Sequence, residues 1–439
     1  MSHFAIFAPP LRGHYGPMSS LAAELISRGH RATFVHHPEA AGLVEADGAA
    51  FEAIGTGTPP LAGWTGPMAR IRGVLGLGGV MDGMVRFTDM ICREAPARLE
   101  KISVDAVIVD QLEPAGALVA ERLGLPFVSI ANALPINREP GVPPPYVGWA
   151  HDASPRGLKR NRGNWRVTDW LLGKLGKAIE RNSLALGLAP RRRLEECFSP
   201  TLQLSQMVPA IDFPRAALPR HFHYTGPFRR ARDVSFDLPP GDDRPLVFCS
   251  LGSLQGGRTG LFRKVAAACA ELDLRLVLTS GRATTSGRLD RLPGNPLVYD
   301  WVTQEAVLRG AALTICHGGM NTVLDSLAAG VPMVVMPLAF EQSAIAARIR
   351  HAGAGHPLSP RSSPRRIADA IALVRGTPDY RTRARAIQRD IHNAGGAARA
   401  ADLIEASLRS RGAAARSAAA TTADAARDDV RDDIRSESS

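Results

Sequence analysis

A doubly wound α/β fold in two Rossmann-like halves is predicted by three features of this 439-residue sequence. Short apolar runs alternate with helical patterns closed by glycine, and the alternation restarts after a Pro- and charge-rich break. No apolar run reaches the ~18–20 residues of a membrane-spanning helix. At ~100–200 residues per domain the chain has room for two to four domains.

The first half opens with an apolar run over 4–8, a Gly/Pro loop over 9–17 and a helical pattern over 18–27 closed by Gly29; a second run covers 32–35. Strand, loop, helix and strand in that order make a βαβ unit with parallel strands. The pattern resumes as strand 106–109, helix 115–123 with Gly124 behind it, and strand 127–130. In the second half, strand 246–249 leads through SLGSLQGG to helix 261–271 and strand 275–279. Strand 313–316, helix 320–329 closed by Gly330 and strand 333–336 repeat the unit. Parallel strands joined this way need helices on both sheet faces. The break lies within 227–244, giving domains at 1–228 and 245–395, a linker at 229–244 and a C-terminal helix at 396–412. Residues 413–439 carry too few large apolar side chains to offset their ordering entropy, and a disordered tail is expected.

Composition narrows the function. Apolar residues make up 45% and charged residues 22%, the balance of a soluble globular chain. The start, MSHFAIFAPP, has neither a basic segment nor a small-residue cleavage site, so no signal peptide is read and a cytoplasmic protein is expected. The five cysteines form no CxxC pair, which speaks against structural zinc and against a disulfide scaffold. The net charge of +11 comes almost wholly from Arg, since Lys supplies only 5 of 53 basic residues. The basic clusters at 156–166, 191–193 and 229–232 read as solvated faces, with an anionic membrane surface as the alternative partner. Nucleic acid is not expected, for want of a binding motif and with 5% aromatics.

Ligands of open α/β sheets sit beyond the carboxyl ends of the strands, so the chemistry is sought there. Gly13-His14-Tyr15-Gly16 after the first strand is not GxGxxG, and the second strand ends in His36-His37 where a dinucleotide ribose would need Asp or Glu. His14 and Asp110 instead close strands at one sheet edge, an arrangement that fixes an imidazole tautomer for general-base work. In the second half, His317, Gly318, Gly319, Met320, Asn321 and Thr322 open a helix whose backbone N–H groups suit a phosphate. Asp325 lies one turn further on the same face. Ser250, Gly252 and Ser253 form a second donor-rich loop, Glu341 and Gln342 offer polar groups for sugar hydroxyls, and Trp301 offers a stacking surface for a base.

The run Trp301-Val302-Thr303-Gln304 followed by HGGMNTVLDSLAAGVPMVVMPLAFEQ resembles the donor signature of the UDP-sugar-dependent glycosyltransferases of GT-B fold, and Gly13-His14 resembles their N-terminal signature. The segments VDAVIVDQLEPAGALVAERLGLPFVSIANALPINREPGVPP, LAPRRRLEECFSP and DFPRAALPRHFHYTGP look like the carotenoid branch, the bacterial zeaxanthin glucosyltransferases. The resemblance spans residues 2–408 and implies two domains facing across a cleft. It implies His14 as the base and Asp110 as its orienter. Trp301 would stack on uracil, Gln304 and Asp325 would meet the ribose, and Ser253, His317, Gly318, Gly319, Asn321 and Thr322 the diphosphate, with Ser250, Gly252 and Val302 also counted to the donor site. Glu341 and Gln342 would hold the glucose. The family commonly has Pro, Glu and Asp where this chain has Thr303, Asp325 and Glu341, which touches sugar preference rather than reaction class.

The implied reaction is inverting transfer from UDP-glucose to zeaxanthin, giving mono- and diglucoside without a metal or other cofactor. A different apolar acceptor (another xanthophyll, a polyketide, a sterol-like compound) stays open, as does a catalytically silent carrier of carotenoid or UDP-sugar. Segment 61–91 and the loop 133–149 are expected to line an apolar acceptor channel and touch the membrane holding the acceptor.

Overall fold

The computed structural model describes residues 1–57, 77–230, 236, 238, 239, 242–255, 257–281, 289 and 291–410. The proposed tail, part of the linker and the start of segment 61–91 lie outside them.

Alternating apolar runs become two wholly parallel sheets. The first holds β1 (His3–Phe7), β2 (Arg31–His36), β3 (Ala50–Ala53), β4 (Ala106–Asp110), β5 (Phe127–Ala131), β6 (Gln203–Ser205) and β7 (Phe222–Tyr224), in the order β3-β2-β1-β4-β5-β6-β7. The second runs β10-β9-β8-β11-β12-β13, from β8 (Leu246–Ser250), β9 (Arg275–Thr279), β10 (Leu297–Tyr299), β11 (Ala311–Cys316), β12 (Met333–Val335) and β13 (Gly355–Pro357). Strand order reverses between β1 and β4 in one sheet and between β8 and β11 in the other. Those two reversals are where ligands of such sheets bind.

Helix α1 (Arg12–Ser27) begins well before the expected residue 18 and takes in His14 and Pro17. Proline has no N–H to give the carbonyl four residues back, here that of Gly13. The amide nitrogen of Asn321, from the other half, donates to that carbonyl at 2.9 Å, so an interior proline is tolerated. Helices α2 (Leu77–Lys101), α3 (Pro114–Arg122), α4 (Pro155–Leu171) and α5 (Gly173–Ala185) complete the first half. Val80, Met81, Phe87, Met90 and Ile91 of α2 are buried in its core. The described part of segment 61–91, residues 77–91, is therefore largely core helix.

The second half adds α6 (Thr259–Glu271), α7 (Gln304–Leu308), α8 (Met320–Ala328), α9 (Gln342–His351), α10 (Pro364–Gly376) and α11 (Pro378–Ala394). A last helix, α12, covers 396–410 and returns to the first half, where Ala397, Ala400, Ala401 and Ile404 join the core. Gly395 in a left-handed conformation (φ 85°) makes the turn between α11 and α12.

A buried charge cluster joins the halves. Asp212 accepts from Arg348 Nε of α9 at 2.7 Å, from Arg215 Nε at 2.9 Å and from the Tyr224 hydroxyl at 2.8 Å. Burial alone would raise the Asp212 carboxyl, but Arg215 and Arg348 outweigh it and hold it below the usual range. The Arg348 guanidinium also lies 4.3 Å from the Phe213 ring centroid. Removing one member of such a buried set leaves an uncompensated charge.

Candidate active site

His14 sits in the first turn of α1, just past β1, and Asp110 is the last residue of β4. The strands are neighbours, with Phe7 opposite Val109, so the sheet itself brings together residues 96 positions apart. His14 Nδ1 lies 2.7 Å from Asp110 Oδ2. A carboxylate only accepts, so Nδ1 carries the proton and Nε2 keeps its lone pair in the neutral ring.

Asp110 is held as firmly as it holds. Its Oδ1 accepts from the backbone N–H of Leu112 at 2.8 Å, and its Oδ2 also accepts from Asn132 Nδ2 at 2.6 Å. Burial pulls the His14 pKa down, but the charge and hydrogen bond of Asp110, with the charge of Glu341, leave it above its ordinary 6.5. Glu113 stands nearby, fully buried. Desolvation, opposed by a bond from the Ala115 backbone and reinforced by Asp110, takes it to about 8. A neutral Glu113 at pH 7 spares the dyad a second buried negative charge.

The second reversal is built from backbone. β8 ends at Ser250, opposite Cys316 at the end of β11. Ser250 Oγ accepts the N–H of Gly252 at 3.3 Å, and Ser253 is exposed beyond it. Gly252 has φ +72°, and a Cβ there would stand 2.7 Å from His317 Cε1. A Cβ on Gly319, the N-cap of α8, would stand 2.5 Å from His317 Nε2. The imidazole thus fits only between two glycines. Desolvation, opposed by a bond to the Ser250 backbone, holds it neutral, down to about 4, and its buried Nδ1 lacks a hydrogen-bond partner among the described residues.

Behind Gly318 (φ +88°) and Gly319, the first N–H groups of α8 (Met320, Asn321 and Thr322) have no partner within the helix, the usual geometry of an anion site. Thr322 is buried and Trp301 is half-exposed. Val302, next in the chain, is buried. Gln304 Oε1 is buried without a hydrogen-bond partner among the described residues.

Glu341 and Gln342 stand where the loop after β12 becomes α9. Gln342 Oε1 accepts from the N–H groups of Leu338 and Ala339, both at 2.8 Å, which ties the loop down and leaves the amide nitrogen uncommitted to it. Phe340, just before Glu341, is held at φ +53°, a conformation rare for a bulky residue. Burial raises the Glu341 carboxyl, His14 opposes the rise and Asp110 adds to it. Glu341, from the second half, therefore lies close enough to the dyad for each to feel the other's charge.

Asp325 is not isolated. It accepts from Arg229 Nε at 2.6 Å, and Arg229 Nη2 reaches Asn321 Oδ1 at 3.3 Å. Arg229 Nη1 also donates to Gln206 Oε1 at 3.3 Å, while Gln206 Nε2 donates to Asn132 Oδ1 at 2.9 Å. A continuous chain of hydrogen bonds therefore runs from His14 through Asp110, Asn132, Gln206 and Arg229 to Asp325 and Asn321.

Comparison with known proteins identifies the architecture. The chain is 40% identical over 412 residues to the zeaxanthin glucosyltransferase of Pantoea ananas, covering 92% of this chain and 96% of that one. It is 41% identical over 408 residues to the zeaxanthin glucosyltransferase of Pseudescherichia vulneris, covering 92% and 98%. The chain belongs to the zeaxanthin glucosyltransferase family. It is a glycosyltransferase of GT-B fold. Residues 263–403 match the family model of the erythromycin biosynthesis protein CIII-like C-terminal domain. Among solved structures, the calicheamicin glycosyltransferase CalG4 superposes with a TM-score of 0.72 at 25% identity, covering 93% of this chain and 98% of that one. The kitacinnamycin glycosyltransferase gives 0.72, also at 25% identity.

Set against this glycosyltransferase, the sequence expectations missed Asn132, Gln206, Arg229 and Glu113. None carries a local signal, because each gains its role from a partner 22 or more positions away or from burial. All five cysteines are buried and unpaired, and desolvation pushes Cys316 up to about 12. No group of three metal-ligating side chains occurs among the described residues, and no helix among them is long and apolar enough to cross a membrane.

Proposed function

We propose that the enzyme moves glucose from UDP-glucose to a hydroxyl of zeaxanthin with inversion at the anomeric carbon. The observation that carries this reading is the His14–Asp110 bond of 2.7 Å, which frees Nε2 at the rim where Glu341 and Asn321 approach from the other half. The acceptor oxygen attacks the anomeric carbon from the face opposite the diphosphate, its proton passes to His14 Nε2, and the sugar–phosphate bond breaks to release UDP. The imidazolium that forms is stabilised by Asp110.

Charge developing on the diphosphate is met by the N–H groups of α8 and by the Gly252 and Ser253 loop, with His317 beside them. The reading therefore assigns no metal to the step. Trp301 stacks on uracil and Gln304 meets the ribose. Asp325, oriented by Arg229, accepts from the ribose hydroxyls. Glu341 and the amide nitrogen of Gln342 hold the glucose. The two equivalent hydroxyls of zeaxanthin lead to a mono- and then a diglucoside. In this reading the enzyme works in the cytoplasm, against the inner face of the cell membrane that holds its apolar acceptor.

The test is the mass of the product after incubation with UDP-glucose and zeaxanthin in detergent micelles. One or two added hexoses are expected. Hydrolysis of UDP-glucose with no transfer would keep the donor site and overturn the acceptor.

A further inference from the structure

Helix α4 has two unlike faces. Its inner face clasps the loop that follows β5. Asn161 Nδ2 donates to the Pro140 carbonyl at 3.0 Å, and Trp165 Nε1 donates to the Val142 carbonyl at 3.2 Å. The Tyr146 hydroxyl bonds Thr168 Oγ1 at 2.8 Å. At 100° per residue, Arg156, Lys159, Arg162, Arg166, Val167 and Trp170 fall within one outer arc of about 140°. All six are exposed, Trp170 at 79%.

The four cations of this arc make no ion pair among the described residues. The other basic clusters differ. Arg191 pairs with Glu121, Arg192 with Glu180, Arg193 with Glu196, Arg229 with Asp325 and Arg230 with Asp47. Asp169, at the border of the arc, is taken by Arg138. A row of cations without ion pairs, with only Asp152 near Arg156 and an exposed Trp at the far end, is the composition of a face that adsorbs on an anionic bilayer surface.

We propose that the outer face of α4 docks this enzyme on a bilayer rich in anionic phospholipid. Charge complementarity selects the headgroups, and the Trp170 ring enters the interface below them. The surface bears on the reaction through the loop that α4 holds. That loop starts beside Asn132, the partner of Asp110, and reaches Gly148, whose would-be Cβ lies 3.1 Å from the Ser343 carbonyl next to Gln342. Docking by α4 thus sets the rim of the active cleft against the lipid. This part rests on the proposed apolar acceptor.

The test is co-sedimentation with vesicles, without substrate, so that docking and acceptor choice are read apart. Binding is expected to vesicles containing phosphatidylglycerol, to weaken with salt, and to be slight on phosphatidylcholine alone. At about fivefold per cation, replacing Arg156, Lys159, Arg162 and Arg166 together by Gln should weaken binding several hundredfold. Replacing the three arginines by Lys should preserve it. The Gln variant should still transfer to acceptor in detergent micelles at the wild-type rate, which also reports intact folding. Trp170→Ser should bind more weakly at every salt concentration. Equal binding to both vesicle types, undiminished binding of the Gln variant, or salt-sensitive binding to RNA with none to vesicles would overturn the proposal. Docking through α4 without transfer to zeaxanthin would uphold the surface and overturn only the acceptor.

Discussion

The two halves share a fold and a site position, yet they prepare their chemistry in opposite ways. The acceptor half relies on side chains gathered from afar: His14, Asp110, Asn132 and Gln206 lie on four different segments and form one hydrogen-bonded row. The donor half relies on missing side chains. His317 fits because Gly252 and Gly319 lack a Cβ, and the anion site is the bare start of a helix. One half should be broken by removing atoms and the other by adding them.

The largest effect is expected on the acceptor side. His14→Ala should lower kcat by ~10²–10⁴-fold, the share of a positioned general base; steady-state transfer assays check it. On the donor side the disruptive change is an added methyl. Gly252→Ala places a Cβ against His317 and forces a left-handed conformation that costs ~1–2 kcal/mol, so UDP affinity should fall by about tenfold or more, as read by calorimetry. Gly260→Ala, in a helix with open space beside it, is the matched control and should leave affinity unchanged.

The dyad can be tested by pH. His14 must be neutral to act, so kcat/KM should fall as pH drops through a pKa above 6.5. Asp110→Asn removes the charge that raises that pKa and leaves burial, which lowers it; the acid limb should move to lower pH as the maximum rate falls. Asn132→Ala leaves Asp110 with fewer competing partners and should move the limb the other way. The smallest effect belongs to the far end of the row. Gln206→Leu cuts the chain between Asn132 and Arg229, each bond worth ~0.5–1.5 kcal/mol, and should lower kcat/KM by several-fold without moving the pH limb.

The same contrast explains what the sequence disclosed. The donor residues from His317 to Asp325 are contiguous, so a strand, a glycine pair and a helix start can be read in order. His14 and Asp110 were legible as a pair because parallel strands bring their carboxyl ends to one edge. The start of α1 was not, since the carbonyl that Pro17 leaves without an N–H is satisfied by Asn321, 304 residues on. Arg229 was equally hidden: it reads as one more linker cation until Asp325 is seen beside it. The basic run at 156–166 gave composition but not direction, because only burial of Asn161 and Thr168 shows which side of α4 faces out.

The separation of the two halves is tested most directly by the affinity of His14→Ala for UDP, measured by calorimetry beside its rate of transfer. The account predicts wild-type affinity with transfer lost, since the donor cradle is made without His14. Lost UDP binding, or transfer retained, would contradict it.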